Sequence, residues 1–272
     1  MPLEANGAIL TSTGLTPAGP LDRWAALVVR ERKTRFSGGA LSSLWAFVTP
    51  VAWIGIVVLA FQYLGRSVPI HAPMALFVAS GILPYAVFRQ TISSLMRSVI
   101  AYRYLSYIQP VGPADILVAS AILELMNTII LSVVLFGGIL LALAAPLPAD
   151  PLRVILGLAL AWALGTGFGH LAATLGQCSD TLSRAIPLAL RPMFWLSGVF
   201  FTATELGGAA QAALWWNPLF HTIEILREGF FLGYTSPISD AWYPLAVALG
   251  CYLASVPVGR VLRARNAARH RI

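Results

Sequence analysis

Near the end of the chain, His221, Glu224 and Glu228 stand at i, i+3 and i+7, the spacing that puts an imidazole and two carboxylates on one helix face. That is metal-binding chemistry in outline. A metalloenzyme would want a second ligand cluster, and His71 and His170 stand alone on other stretches. Arg227, beside the carboxylates, supplies a charge partner instead, so an ion-pair network is expected here and no metal. The helix that must hold these groups has a marked start: Asn217 as N-cap and Pro218 at the first helical position. Leu219, Ile223, Leu226 and Phe230 fall on its other face.

Other catalytic signatures are missing. No Gly-x-x-x-x-Gly-Lys loop exists, and Lys33, the only lysine, has no glycines ahead of it, so ATP hydrolysis by that route is excluded. Nucleophile elbows and acidic metal-binding pairs on loops are also absent, which argues against a hydrolase or glycosyltransferase. What remains is a set of ionisable groups inside apolar stretches: Arg89, Arg191 and Glu124. Each costs a few kcal/mol facing lipid, so each should face the protein interior or a wet cavity. Structural pairing is one reading. A polar lumen is the other, with Trp45, Trp53, Tyr85, Phe88, Phe194 and Trp195 offering rings on which the C–H faces of sugars pack.

The elements that position these groups are membrane spans. Of 272 residues 58% are hydrophobic and 11% charged, and the mean hydropathy of +0.77 exceeds what a water-covered domain tolerates. The expected fold is an all-α polytopic membrane protein. Six spans are expected, at about 44–64, 73–93, 114–144, 154–175, 185–201 and 241–262, and the fourth carries a small-residue face at Gly165–Gly169. The fifth is interrupted by Pro187 and Pro192. Residues 1–20 read as a disordered cytoplasmic tail without the features of a signal peptide. Residues 21–37 read as an amphipathic interface helix with Leu21, Trp24, Ala25 and Val28 as its stripe. A basic cytoplasmic tail follows at 263–272.

The net charge of +7 comes from cations that flank spans, which argues against nucleic-acid binding. Thirteen of the 18 Lys and Arg fall on the side of the termini, and three (Arg66, Arg153 and Arg227) fall on the other. Both termini are therefore expected in the cytoplasm. Residues 202–233 are too apolar for a free loop and too broken for a span, so they read as re-entrant half-helices at the opposite face. Cys178 and Cys251 are far apart and form no expected disulfide.

Four segments carry a family resemblance. They are Arg30–Phe36 with Leu44–Phe47 and Pro50; Gly81–Tyr85 running on to Arg97; Tyr107–Pro113 with Asp115, Leu123 and Glu124; and Trp216–His221 with Glu224, Arg227, Glu228, Gly233 and Tyr234. Together they resemble the permease subunit of bacterial polysaccharide ABC exporters, above all the capsular polysaccharide branch. The resemblance implies a homodimer in the inner membrane, two copies of a separate cytoplasmic ATPase that binds ATP and Mg, and a periplasmic polysaccharide-export adaptor. The cargo it implies is a lipid-linked acidic polysaccharide. It places the channel along the first, second and fifth spans, with Arg89 and Arg191 among the aromatic rings. Asn217, His221, Glu224, Arg227 and Glu228 become the re-entrant gate, and Arg23, Arg97, Arg103, Tyr104, Tyr107 and Pro110 the ATPase-coupling region. No cofactor is expected in the chain itself. An O-antigen, teichoic-acid or drug exporter of the same architecture, and an integral membrane metalloenzyme, are the alternatives. After Phe36 the chain departs from the family pattern, with Ser37–Ala40 where basic residues and a glycine-aromatic pair are usual.

Overall fold

A computed structural model describes residues 19–35, 40–70, 72–101, 112–177 and 179–269, with the side chains of 40–47 and 262–269 among those outside the description. Every element among these residues is helical. In order they are α1 (Pro20–Arg35), α2 (Ala40–Tyr63), α3 (Met74–Ala101), α4 (Pro113–Leu143), α5 (Pro151–Gly176), α6 (Asp180–Ala189), α7 (Met193–Leu196), a single 3-10 turn at Ala203–Glu205, α8 (Gly208–Leu214), α9 (Pro218–Phe230) and α10 (Trp242–Arg269).

Four helices, α3, α4, α5 and α10, are long and apolar enough to cross a membrane. Their burial differs. The most apolar window of α3 is 78% buried, against 22% for α4 and 17% for α10, so α3 is the central rod and the other two are mostly peripheral. Two hydroxyls inside α3 donate to its own carbonyls, Ser80 to Phe77 at 2.7 Å and Ser98 to Leu95 at 2.9 Å. Such back-bonding lets polar residues sit in a dry interior.

α5 packs against α3, α9 and α10 through its glycines. A Cβ on Gly165 would lie 2.9 Å from the Phe88 carbonyl oxygen of α3, one on Gly157 2.8 Å from Leu226 of α9, and one on Gly167 2.2 Å from the Ala248 carbonyl oxygen of α10. Without hydrophobic drive between helices in lipid, this backbone approach is what dispersion requires. The small-residue face read from Gly165–Gly169 is thus occupied on two sides.

The stretch expected as a fifth span differs from its sequence reading. Ser179 caps α6 by accepting the Thr181 N–H at 3.2 Å, so the helix starts earlier, at Asp180. It ends at Ala189, and after the turn at Leu190–Pro192 only four residues of α7 follow. Two prolines within six residues remove the N–H groups a continuous rod needs. Elsewhere helices run on. α3 continues through Ala101, with no Pro or Gly between Pro84 and Pro110, and α10 continues to Arg269.

α1 is docked on α4 rather than lying free. Leu27 packs on Ile116 and Ala119, Trp24 donates its indole N–H to Asp115 at 2.9 Å, and Ser120 donates to Glu31 at 2.9 Å. Its buried stripe is therefore Trp24, Leu27, Val28 and Glu31, whereas Leu21 is 72% exposed and Ala25 also faces outward. The tail 1–18, the linker 36–39 and the loop 102–111 lie outside the described residues.

Replacing Gly167 by Leu is expected to cost at least the ~1–3 kcal/mol of an overpacked core. Gly137→Ala, where nothing lies within 4 Å, is expected to be neutral or slightly stabilising. Thermal unfolding of the two detergent-solubilised variants checks the contrast.

Candidate functional site

Two polar regions stand apart, one inside the helix block and one on its flank. The inner one is built on α9. Asn217 caps it, accepting the Leu219 N–H at 3.1 Å while its own amide donates to the Leu196 carbonyl and the Ser197 hydroxyl, both at 3.0 Å. Pro218 at the first position fits the fixed backbone there. The sequence reading gave α9 one apolar and one ionisable face. The structure buries both: Asn217, His221, Glu224 and Arg227 are all fully inaccessible. In a membrane protein the polar face turns toward protein, since lipid offers it no partner.

Arg227 makes the densest set of contacts. Its guanidinium donates to the Phe201 carbonyl at 2.6 Å, the Val199 carbonyl at 3.1 Å, the Ser80 hydroxyl at 3.4 Å and Glu224 at 3.2 Å. Its charge also lies 4.3 Å from the Phe77 ring centre. The carbonyls it takes follow Gly198, whose φ of +77° turns the chain out of α7. Glu224 also accepts the Ala203 N–H at 3.3 Å and the Tyr234 hydroxyl. Burial first, then the Glu224 carboxylate, push the Tyr234 phenol far above its usual value, so it stays a donor.

Glu228 belongs to a different network. It accepts from Arg153 at 2.8 Å, the Ser236 N–H at 2.8 Å and the Ser239 hydroxyl at 2.7 Å. His221 points elsewhere again: Nε2 meets the Trp215 carbonyl at 2.7 Å, and its ring lies 5.1 Å from that of Tyr243. The i, i+3, i+7 set therefore does not converge. No cluster of three or more His, Cys, Asp or Glu suited to a metal occurs among the described residues. Of the three cations Arg66, Arg153 and Arg227, Arg227 is buried and the other two are exposed.

The outer region is a cleft of about 1980 Å³ along α2. α3 forms its floor with Ile82, Tyr85, Arg89 and Gln90, α4 one wall with Glu124, Asn127 and Thr128, and Arg191 to Phe201 the other. Of the residues expected to line a channel, Trp53, Tyr85, Arg89, Arg191, Phe194 and Trp195 line this cleft. Phe194 sits at the hub of an aromatic cluster, with ring centres 4.9 Å from Tyr85, 5.1 Å from Phe200, 5.7 Å from Trp195 and 6.2 Å from Trp53. Arg89 and Trp195 are exposed to the cleft, so cation and ring are both available to a solute.

Phe88 is a correction. It is 1% exposed and packs edge-on against Phe168 of α5 at 5.6 Å, away from the cleft. Arg89 and Gln90 turn to the cleft, and Phe88, about 100° back around the helix from Arg89, turns to α5. Tyr85 and Arg89, four apart, share a face. The Trp45 side chain lies outside the described residues, as do Arg103, Tyr104, Tyr107 and Pro110. Arg97 is exposed near the end of α3, and Arg23 is half-buried on α1 beside Asp115. None of Asn217, His221, Glu224, Arg227 and Glu228 lines the cleft.

Sequence reasoning missed Arg32 and Arg66, which line the cleft toward the ends of α1 and α2. Arg66, directly after the Gly65 turn that closes α2, was legible as a cation at a span end but was counted only for topology.

Residues 22–231 match the sequence profile of the family described as ABC-2 type transporter. The chain is 26% identical over 211 residues to the Polysialic acid transport protein KpsM of Escherichia coli, covering 78% of this chain and 82% of that one. It is 24% identical over 233 residues to the Capsule polysaccharide export inner-membrane protein CtrC of Neisseria meningitidis, covering 86% and 88%. Against the Capsule polysaccharide export inner-membrane protein BexB of Haemophilus influenzae it is 23% identical over 206 residues, covering 76% and 78%.

Removing one member of the inner pair, by Arg227→Leu or Glu224→Ala, leaves a buried charge without its partner. Each is expected to cost ~3–5 kcal/mol and to deplete folded protein from membranes. Glu228→Ala, whose partner Arg153 is half-exposed, should cost markedly less. Melting temperatures of purified variants rank the three.

Proposed function

As the chain belongs to the ABC-2 type transporter family, we propose that it is the permease subunit of an ATP-driven exporter of capsular polysaccharide in the bacterial inner membrane. The printed names of the relatives, all polysaccharide or polysialic acid transport proteins, support the cargo class. The single observation that carries the reading in the structure is the cleft in which Arg89, Arg191 and a set of aromatic rings face one space.

Two copies of the chain form the channel, each contributing one cleft. α2, α3, α4, α5, the broken α6–α7 pair and α10 are its six spans, and residues 202–233 are re-entrant at the periplasmic face. Both termini lie in the cytoplasm, in keeping with the bias of cations toward that side. Two copies of a cytoplasmic ABC ATPase bind ATP and Mg. They dock at Arg97 and the loop carrying Arg103, Tyr104, Tyr107 and Pro110, with Arg23 and the rest of α1 beside them. α1 then passes their motion to α4 through the Trp24–Asp115 contact. A periplasmic polysaccharide-export adaptor receives the cargo.

The cargo is a lipid-linked acidic glycan. In a passage drier than water, an arginine attracts a sugar carboxylate strongly, and exposed Trp53 and Trp195 offer flat apolar faces to the rings between charges. Buried Arg227 is saturated by protein and takes no part in this.

The test is export in inverted membrane vesicles containing the partner ATPase. The Arg89→Gln, Arg191→Gln double variant is expected to lower export of an acidic glycan by about tenfold or more, the worth of one charge-assisted hydrogen bond. Phe88→Leu is expected to lower stability without a selective effect on acidic cargo. Unchanged export by the double variant removes the arginines from the path.

A further inference from the structure

Arg66 lines the cleft at the end away from Arg32, and it is not idle there. Its guanidinium stands 3.9 Å from a Glu205 oxygen and lies 4.9 Å from the Phe61 ring centre. Glu205 divides its two oxygens. One, Oε1, faces Arg66, while Oε2 accepts the Thr202 N–H at 2.9 Å and the Thr202 hydroxyl at 3.5 Å, closing the 3-10 turn. That turn is in turn held from behind, since the Ala203 N–H donates to buried Glu224 and the Gln211 amide donates to the Ala203 carbonyl. Arg227, the other cation close enough to act on Glu205, is saturated in the core.

The two sides of this pair differ in firmness. The turn bearing Glu205 is tied to the buried pair, whereas α2 packs chiefly on α3. Both side chains are a third or more exposed, 41% for Arg66 and 33% for Glu205, so water and a solute can reach the pair. An exposed pair of this length is held weakly, and a weak internal contact is what a carboxylate on a passing solute can replace.

We infer that Glu205 is a built-in surrogate for the cargo: in the unloaded protein it occupies Arg66, the outermost anion site of the cleft, and a carboxylate of the acidic glycan displaces it there. The inference rests on the exporter reading and names the residue pair at which that cargo leaves. On displacement Glu205 keeps Thr202 through Oε2, so the turn stays closed while the end of α2 is released. The contact is thus both a specificity filter, since a neutral glycan gains nothing by replacing Glu205, and a clasp that parts when charged cargo arrives.

The test uses the complex with its ATPase in phosphatidylcholine nanodiscs and a fluorescent acidic oligosaccharide, with a neutral one of equal length beside it. Glu205→Gln keeps an acceptor for the Thr202 N–H and removes the competing charge, so acidic-probe affinity is expected to rise about three- to fivefold. Arg66→Gln is expected to lower it by a similar factor, and the double variant should match Arg66→Gln alone. Neutral-probe binding should be equal in all four proteins. Unchanged affinity in Glu205→Gln, or a gain that persists without Arg66, overturns the inference. So does a loss of acidic-probe binding on adding phosphatidylglycerol to the disc that is abolished by Arg66→Gln, because the anion on Arg66 is then a lipid headgroup. Wild-type protein that neither binds nor exports acidic glycan sinks the exporter reading itself. Wild-type binding and export with an inert Glu205→Gln sinks the clasp alone.

Discussion

Everything between α7 and α9 depends on one cation with no access to water. Residues 197–202 are irregular backbone beside α3 and α9, and the Val199 and Phe201 carbonyls stand outside any helix that would supply them with N–H donors. In the apolar interior each unsatisfied group costs several kcal/mol. Arg227 takes both carbonyls and Glu224 takes an N–H, while the two side chains neutralise each other across one turn of α9. A guanidinium suits this role because its planar fork holds several donors in fixed directions and keeps its proton. A lysine offers one point charge and no such geometry. The ion pair is therefore less a source of stability than the condition under which a broken segment fits beside α3 at all.

From that constraint follows the division of polar groups into two kinds. Inside the block, Arg227 and Glu224 are held by protein groups, so neither is free to bind a solute. On the flank, Arg89 and Arg191 are exposed among rings in the cleft, and Arg66 lines it beside Glu205. The same residue type is structural in one place and available in the other. What decides is whether backbone carbonyls or solvent surround it.

Much of the fold was legible because helix punctuation is local. Asn217–Pro218 marks a helix start, and the structure places an N-cap there; Asp150–Pro151 carries the same signal, and α5 begins there instead of at the expected 154. The glycines at 165–169 likewise read as a packing face. The cleft was legible through its odd members, since an arginine in an apolar run must have a reason to be there. Less legible was which way a face turns. In water an ionisable face points out, but here lipid is as apolar as the core, so the polar face of α9 turned inward with the rest. Period puts Tyr85 and Arg89 on one face and Phe88 about 100° back from Arg89, and that signal was available. The early start of α6 was written only in Ser179, whose capping role competes with its reading as loop. Glu205 carried no signal, because its meaning depends on Arg66, more than a hundred residues earlier.

The glycine contacts of α5 have a mechanical meaning. Where Gly167 meets Ala248 and Gly157 meets Leu226, backbone touches its neighbour with no compressible side chain between. Interiors packed to this density transmit displacement instead of absorbing it. α3, α5, α9 and α10 are therefore packed as one tight block, with α2 the lightly held element beside it.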